Sequence, residues 1–218
     1  MSLLRLLHLA SPALPIGSFH FSQGLEYAVT AGWVRDEESA ADWIEGLAEC
    51  VLGTLDLPVL LRLYRSCEHQ RYDEVQRWNA YLIASRETAE LRAEDEHMGA
   101  ALAKVLAQHE IDVTPLRLDR PTYASVFAFA CCAWDASCED TLTTYAWAWA
   151  ENQTLAAIKL VPLGQSAGQR ILHRLTAALP TIIASVERVE NADIGVHALM
   201  HSVASARHES QYTRLFRS

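Results

Sequence analysis

Apolar residues recur at three- and four-residue steps along most of the chain, and no stretch alternates apolar with polar residues over the length of a strand. That periodicity restricts the chain to an all-α fold with essentially no sheet. Over 38–54 the stripe is Trp43, Ile44, Leu47 and Val51, continued by Leu55, and Asp36 or Ser39 is placed to cap its start. Pro58 fits the first turn of a second helix that runs through Leu60 and Leu63 and ends near His69. The pattern repeats over 73–87 and again from Thr88 through Leu106. Residues 108–120, with Thr114-Pro115 and Arg120-Pro121, break the period and read as a loop. Beyond it the spacing predicts helices over 122–135, 140–160 and 164–179, another begun by Pro180, and a last one over 194–208. The expectation is a single domain, 1–218, built as a bundle of about ten helices.

Size and composition support one core. Half the 218 residues are apolar and 21% are charged, which excludes a disordered chain. A chain of this mass buries roughly 70% of its unfolded surface, with roughly 10,000 Å² left exposed. The longest apolar run, Val126 to Trp134, is nine residues, against about 20 for a membrane-crossing helix. The first residues, MSLLRLLHLASPA, carry Arg5 inside the apolar stretch and read as a folded helix rather than a leader. Five cysteines without a C-x-x-C pair suit a reducing, cytoplasmic compartment in which thiols pack as small hydrophobes. The net charge of −9 is concentrated: residues 36–96 hold fifteen acids against six arginines, and the remainder is balanced. Such a chain lacks the cationic face that nucleic acid requires. The acidic half is either a solvated face or a seat for a basic protein.

Motifs that carry chemistry are few. Gly164 to Arg170 lacks the lysine of a phosphate-binding loop, and there is no G-x-S-x-G, H-E-x-x-H or dinucleotide glycine pattern. His197 and His201, four apart, with His208 seven further on, could offer imidazoles to nickel or zinc from one helix face, or serve as ordinary surface and capping residues. Cys131, Cys132 and Cys138 sit among Phe127, Phe129 and Trp134 and read as core rather than a soft-metal site. Trp149, Ala156 and Lys159 fall near one line of a helix, as core or as a contact surface. Arg86 and Glu90, four apart, are spaced for an ion pair within one helix. Two segments depart from bundle logic. The Pro/Gly loop 11–26 carries Leu14, Ile16, Phe19 and Phe21 and must pack on something, while the tail 207–218 interleaves Tyr212, Leu215 and Phe216 with arginines, as a partner-binding segment does.

Five motifs in order, LASPALPIGSFHFSQGLE, AGWVRD, SRETAELR, KLVPLGQ and RHESQYTRLFRS, together resemble the urease accessory protein UreF family over about residues 3–218. Gly17-Ser18 stands where that family usually has two glycines, and His20 where a hydroxyl or small residue is common. The resemblance implies an all-helical, homodimeric chaperone without catalytic residues or cofactor. Such a chaperone joins UreD (also UreH) and UreG, the nickel-carrying GTPase, on the urease apoprotein and regulates UreG. By motif position it implies Glu26 and Lys159 as charged contacts on the UreG side. It also implies that UreD orders the tail, with Tyr212, Leu215 and Phe216 as anchors and Arg207, His208, Arg214 and Arg217 beside them. His197, His201 and His208 stay candidate metal ligands, since nickel passes through or by such a complex. The competing readings are an all-helical enzyme with a dispersed site and a scaffold unconnected with metal.

Overall fold

The structure, a computed structural model, describes residues 2–218, and no strand occurs among them. Ten α-helices follow one another: α1 (Ser2–Ala10), α2 (Leu25–Thr30), α3 (Glu37–Leu47), α4 (Leu57–Glu68), α5 (Tyr72–Ser85), α6 (Ala89–Gln108), α7 (Tyr123–Ala133), α8 (Cys138–Leu160), α9 (Gln165–Ser185) and α10 (Leu199–His208). Four begin on residues that suit a cap. Asp36 and Ser39 form a capping box at α3, and Thr88, Thr122 and Ser137 accept from backbone N–H groups at α6, α7 and α8. The centre is α4 against α7. Buried residues surround α4 on nearly every side, and α7 runs from Tyr123 to Cys131 with almost no polar face, the pattern of helices enclosed by others. The accessible surface, 10556 Å², matches what the chain's mass requires of one compact core.

Two boundaries differ from the periodicity, each for a backbone reason, and both trace to prolines or to the segment before α10. Pro58 does stand in the first turn of α4, which ends before His69 as the spacing predicts, but α3 runs into it without a break through a wide π-helical segment, Ala48–Asp56. Pro58 has no N–H to donate to Thr54, four residues back, and the wider turn accommodates this. Gly195 N donates to the Thr54 carbonyl instead, at 3.0 Å, and His197 N donates to Cys50 O at 3.0 Å. Those two bonds hold 195–197 off the helical path, so the last helix starts at Leu199 and not at 194. Pro180 does not start a helix, for α9 runs through it. Thr176, whose carbonyl loses its donor, and Pro180 are both exposed, where solvent can replace the missing bond.

The expected Arg86–Glu90 pair is also absent, because α5 ends at Ser85 and Arg86 adopts an extended conformation that turns its side chain inward. Its guanidinium lies 2.5 Å from Asp56 at the end of the π-helical segment and 2.8 Å from Asp95 of α6. The other Asp95 oxygen accepts from Tyr123 N at 2.9 Å, the first turn of α7. Nearby, Asn79 of α5 donates to Arg120 O and accepts from Thr122 N and Ser125 Oγ. Gly99 lets α6 come close here, since a Cβ would lie 2.1 Å from Pro121 O. Burial opposes the Arg86 charge, but Asp56 and Asp95 outweigh it and hold the guanidinium protonated. Arg86→Ala would leave two buried carboxylates without a counter-charge. It should cost about 3–5 kcal/mol in urea unfolding, whereas Arg35→Ala, at an exposed pair with Asp36, should leave the unfolding midpoint nearly unchanged.

Candidate functional site

The loop 11–26 and the tail 207–218, far apart in sequence, meet in one place. Leu14, Ile16, Phe21 and Leu25 pin the loop to the core. Gly24, at φ +80°, turns it into α2 and passes so close to α10 that a Cβ would sit 3.1 Å from Ser205 N. This close turn directs Glu26, in the first turn of α2, toward the tail. Glu26 Oε1 accepts from Leu215 N at 2.7 Å, and Oε2 accepts from Phe216 N at 2.8 Å. The same Oε2 lies 3.2 Å from His208 Nε2, while His208 Nδ1 lies 2.6 Å from Glu90 Oε2. Both ring nitrogens of this fully buried histidine face carboxylate oxygens. The second Glu90 oxygen accepts from Arg214 at 2.6 Å.

The end of the tail is seated as firmly. Ser22 donates to Ser218 O through both its N–H and its hydroxyl, and Arg217 N donates to His20 O at 2.8 Å. Ser218 Oγ and Gln23 Nε2 donate to the two oxygens of Glu94, each at 2.8 Å, and Gln23 Oε1 accepts from Trp149 Nε1. Glu209 accepts from Ala89 N and so caps α6 from the tail side. Lys159 Nζ lies 5.6 Å from the Phe19 ring and 5.6 Å from the Phe216 ring, a cation beside one aromatic of the loop and one of the tail. Glu26 and Lys159, assigned by motif position to one partner, and the tail, assigned to another, therefore form one clasp.

Residues 34–176 match the family model described as UreF. The chain is 46% identical to a urease accessory protein UreF from Teredinibacter turnerae, with 99% of this chain and 98% of the relative covered. It is 41% identical to the namesake from Hahella chejuensis, with 100% and 99% covered. The chain belongs to the UreF family. Its relatives are named as urease accessory proteins, and the family is not one of enzymes.

Several expectations from the UreF motifs change once the clasp is seen. Glu26 is not an outward charge: it is 7% exposed and its carboxylate is taken up by the tail. Phe216 is not a free anchor either, for it is buried against its own chain, whereas Tyr212 and Leu215 remain 103% and 66% exposed. Arg207, Arg214, Arg217 and Lys159 are exposed. The three histidines do not converge. His197 is exposed and precedes α10, His208 is held between two glutamates, and His201 is buried with neither ring nitrogen partnered. Among the described residues no three His, Cys, Asp or Glu side chains are grouped to hold a metal ion. Residues the sequence did not single out, Ser22, Gln23, Glu94 and Glu209, complete the clasp. Glu94 pairs with residues 71 and 124 positions away, beyond any local spacing signal.

Glu94 and His201 line a cavity of about 70 Å³ behind the clasp, together with Gln23, Arg86, Asp95 and Trp149. Burial pushes the Glu94 carboxyl up to about 7, although Gln23, Ser218 and Arg86 favour its charge. Burial, with help from Arg86, pushes His201 down to about 4. The two act oppositely on stability. Between the ordinary glutamate value and about 7 the folded chain holds a proton at Glu94 that the unfolded chain has lost, so this group's contribution falls as pH rises through that window. His201 is neutral when folded, so its contribution is present above its ordinary value and is lost as pH falls toward about 4. The stability difference between Glu94→Gln and the wild type should therefore grow from pH 5 to pH 7.5, by up to about 3 kcal/mol in favour of the variant. Urea unfolding of both proteins at each pH checks this, and a constant difference would contradict it.

Proposed function

We propose that this chain is a chaperone for urease maturation by nickel insertion, bridging UreD (UreH) and the GTPase UreG on the urease apoprotein and regulating UreG. The observation that carries the reading is the clasp, in which apolar and cationic groups are held outward on a base of internal hydrogen bonds. Tyr212 and Leu215 are apolar groups exposed beside Arg214 and Arg217 on a segment whose backbone is already fixed. That arrangement suits an anchoring patch, because ordering costs are met before a partner arrives. Tyr212, Leu215 and the tail arginines form the UreD side. Lys159, with Phe19, forms the UreG side, and Glu26 acts on both by setting the position of the tail rather than by touching a partner.

A chain without a phosphate-binding loop acts in a GTP-dependent step only through a GTPase that it holds. It works in the cytoplasm as a homodimer, with no bound cofactor of its own. No helix among the described residues is long and apolar enough to cross a membrane.

Light scattering after size exclusion, with UreD and UreG added to the chain, tests the reading. The intact chain should form a complex with both, and a form ending at Ala206 should lose UreD. Because truncation also removes the buried Phe216 and Ser218, the sharper variant is Tyr212→Ala with Leu215→Ala. It should weaken UreD at least tenfold, about 1.4 kcal/mol or more, with no change in melting temperature. Failure of the intact chain to bind either partner would reject the chaperone reading.

A further inference from the structure

On the side of the core served by α4, α7 and the start of α8, four of the five cysteines gather: Cys67, Cys131, Cys132 and Cys138. They are not equivalent. Cys131 is fully buried beside Thr141, and burial pushes its thiol up to about 12. Cys138, at the start of α8, is raised to about 11, also by burial. Cys67 of α4 and Cys132 of α7 lie on neighbouring helices, close enough for Cys132 to raise the Cys67 thiol, and Cys132 is half-buried where Cys67 is buried. Both line an open pocket with Tyr64, Tyr72, Phe129 and Ser137. Cys132 Sγ also lies 3.5 Å from Tyr64 O, which keeps it on the α4 side of its helix. The neighbouring Cys132 thiol and burial both raise Cys67, and Cys132, the more exposed of the two, is the one that a dissolved disulfide reaches first.

We propose that Cys67 and Cys132 form a reversible thiol–disulfide site, with Cys132 as the attacking and Cys67 as the resolving thiol, opened to low-molecular-weight disulfides by the pocket between α4 and α7. The Cys132 thiolate attacks one sulfur of oxidised glutathione and releases a glutathione thiolate, leaving a mixed disulfide on Cys132. Cys67 then attacks the Cys132 sulfur, its proton passing to the second departing glutathione thiolate. Two protein thiols are oxidised and one glutathione disulfide is reduced to two thiols. A dithiol that is reduced at rest and cross-links on oxidation is the form that disulfides take in reducing compartments. The cross-link joins the two central helices, which already pack side by side.

The test is incubation of the full-length chain with oxidised glutathione, followed by thiol titration under denaturing conditions and peptide mapping by mass spectrometry. The wild type should lose two thiols to a Cys67–Cys132 cross-link that dithiothreitol reverses. Cys67→Ala, which leaves a small apolar group in the core, should instead stop at a glutathione adduct on Cys132. Cys132→Ser should give no cross-link and leave Cys67 without a glutathione adduct, since the attacking thiol is gone. A cross-link mapped through Cys131 or Cys138, no cross-link in the wild type, or no adduct on Cys132 in Cys67→Ala would each overturn the proposal. The wild-type map stands independently of how the variants fold.

Discussion

The buried guanidinium of Arg86 is the contact on which the arrangement of the other helices depends. It joins Asp56, where the π-helical segment ends, to Asp95 in the second turn of α6, and Asp95 in turn holds the first turn of α7. A charge in this position is costly to desolvate, and the site is tolerable because two carboxylates and an N–H complete it. With the α5–α6 junction fixed in this way, Glu90 and Glu94 face the loop and tail from one side of α6. Arg92 adds a bond back to the Arg86 carbonyl and keeps the junction from opening.

The π-helical segment serves the same end from the other direction. Pro58 strips one carbonyl of its donor, and Gly195 takes the vacant position. A proline in α4 thereby fixes the strap before α10, and α10 carries His208 to its place between Glu26 and Glu90. The clasp is thus the far end of two backbone adjustments in the core. Its polar groups are nearly all paired, as a buried network must be to favour one geometry over its neighbours. Two exceptions are Gln211 Oε1 in the tail and His201, a buried ring without a partner beside the cavity that backs Glu94.

Much of this was legible in the residues. The helical period, the cap at Asp36 and Ser39, the loop over 108–120 and the need for the apolar loop 11–26 to pack all follow from local spacing and chemistry, and all are seen. The misreadings share a cause. Pro180 was expected to start a helix, and 194–198 to be helical, because local rules treat a proline as a boundary and an apolar period as a helix. Whether an orphaned carbonyl finds a distant donor, as Thr54 does, or an exposed position, as Thr176 does, is not written locally.

The charged residues show the same division. Composition and period by themselves determined an all-helical chain with one core, and the ordered motifs placed it in its family. Only the tertiary structure decided that Arg86 turns away from Glu90, that Glu26 faces inward, and that His197, His201 and His208 go three separate ways. Helix periodicity is set by the backbone within a few residues, so it can be read from neighbours. The partner of a buried charge is set by which element arrives opposite it, and here that element lies as many as 190 positions away.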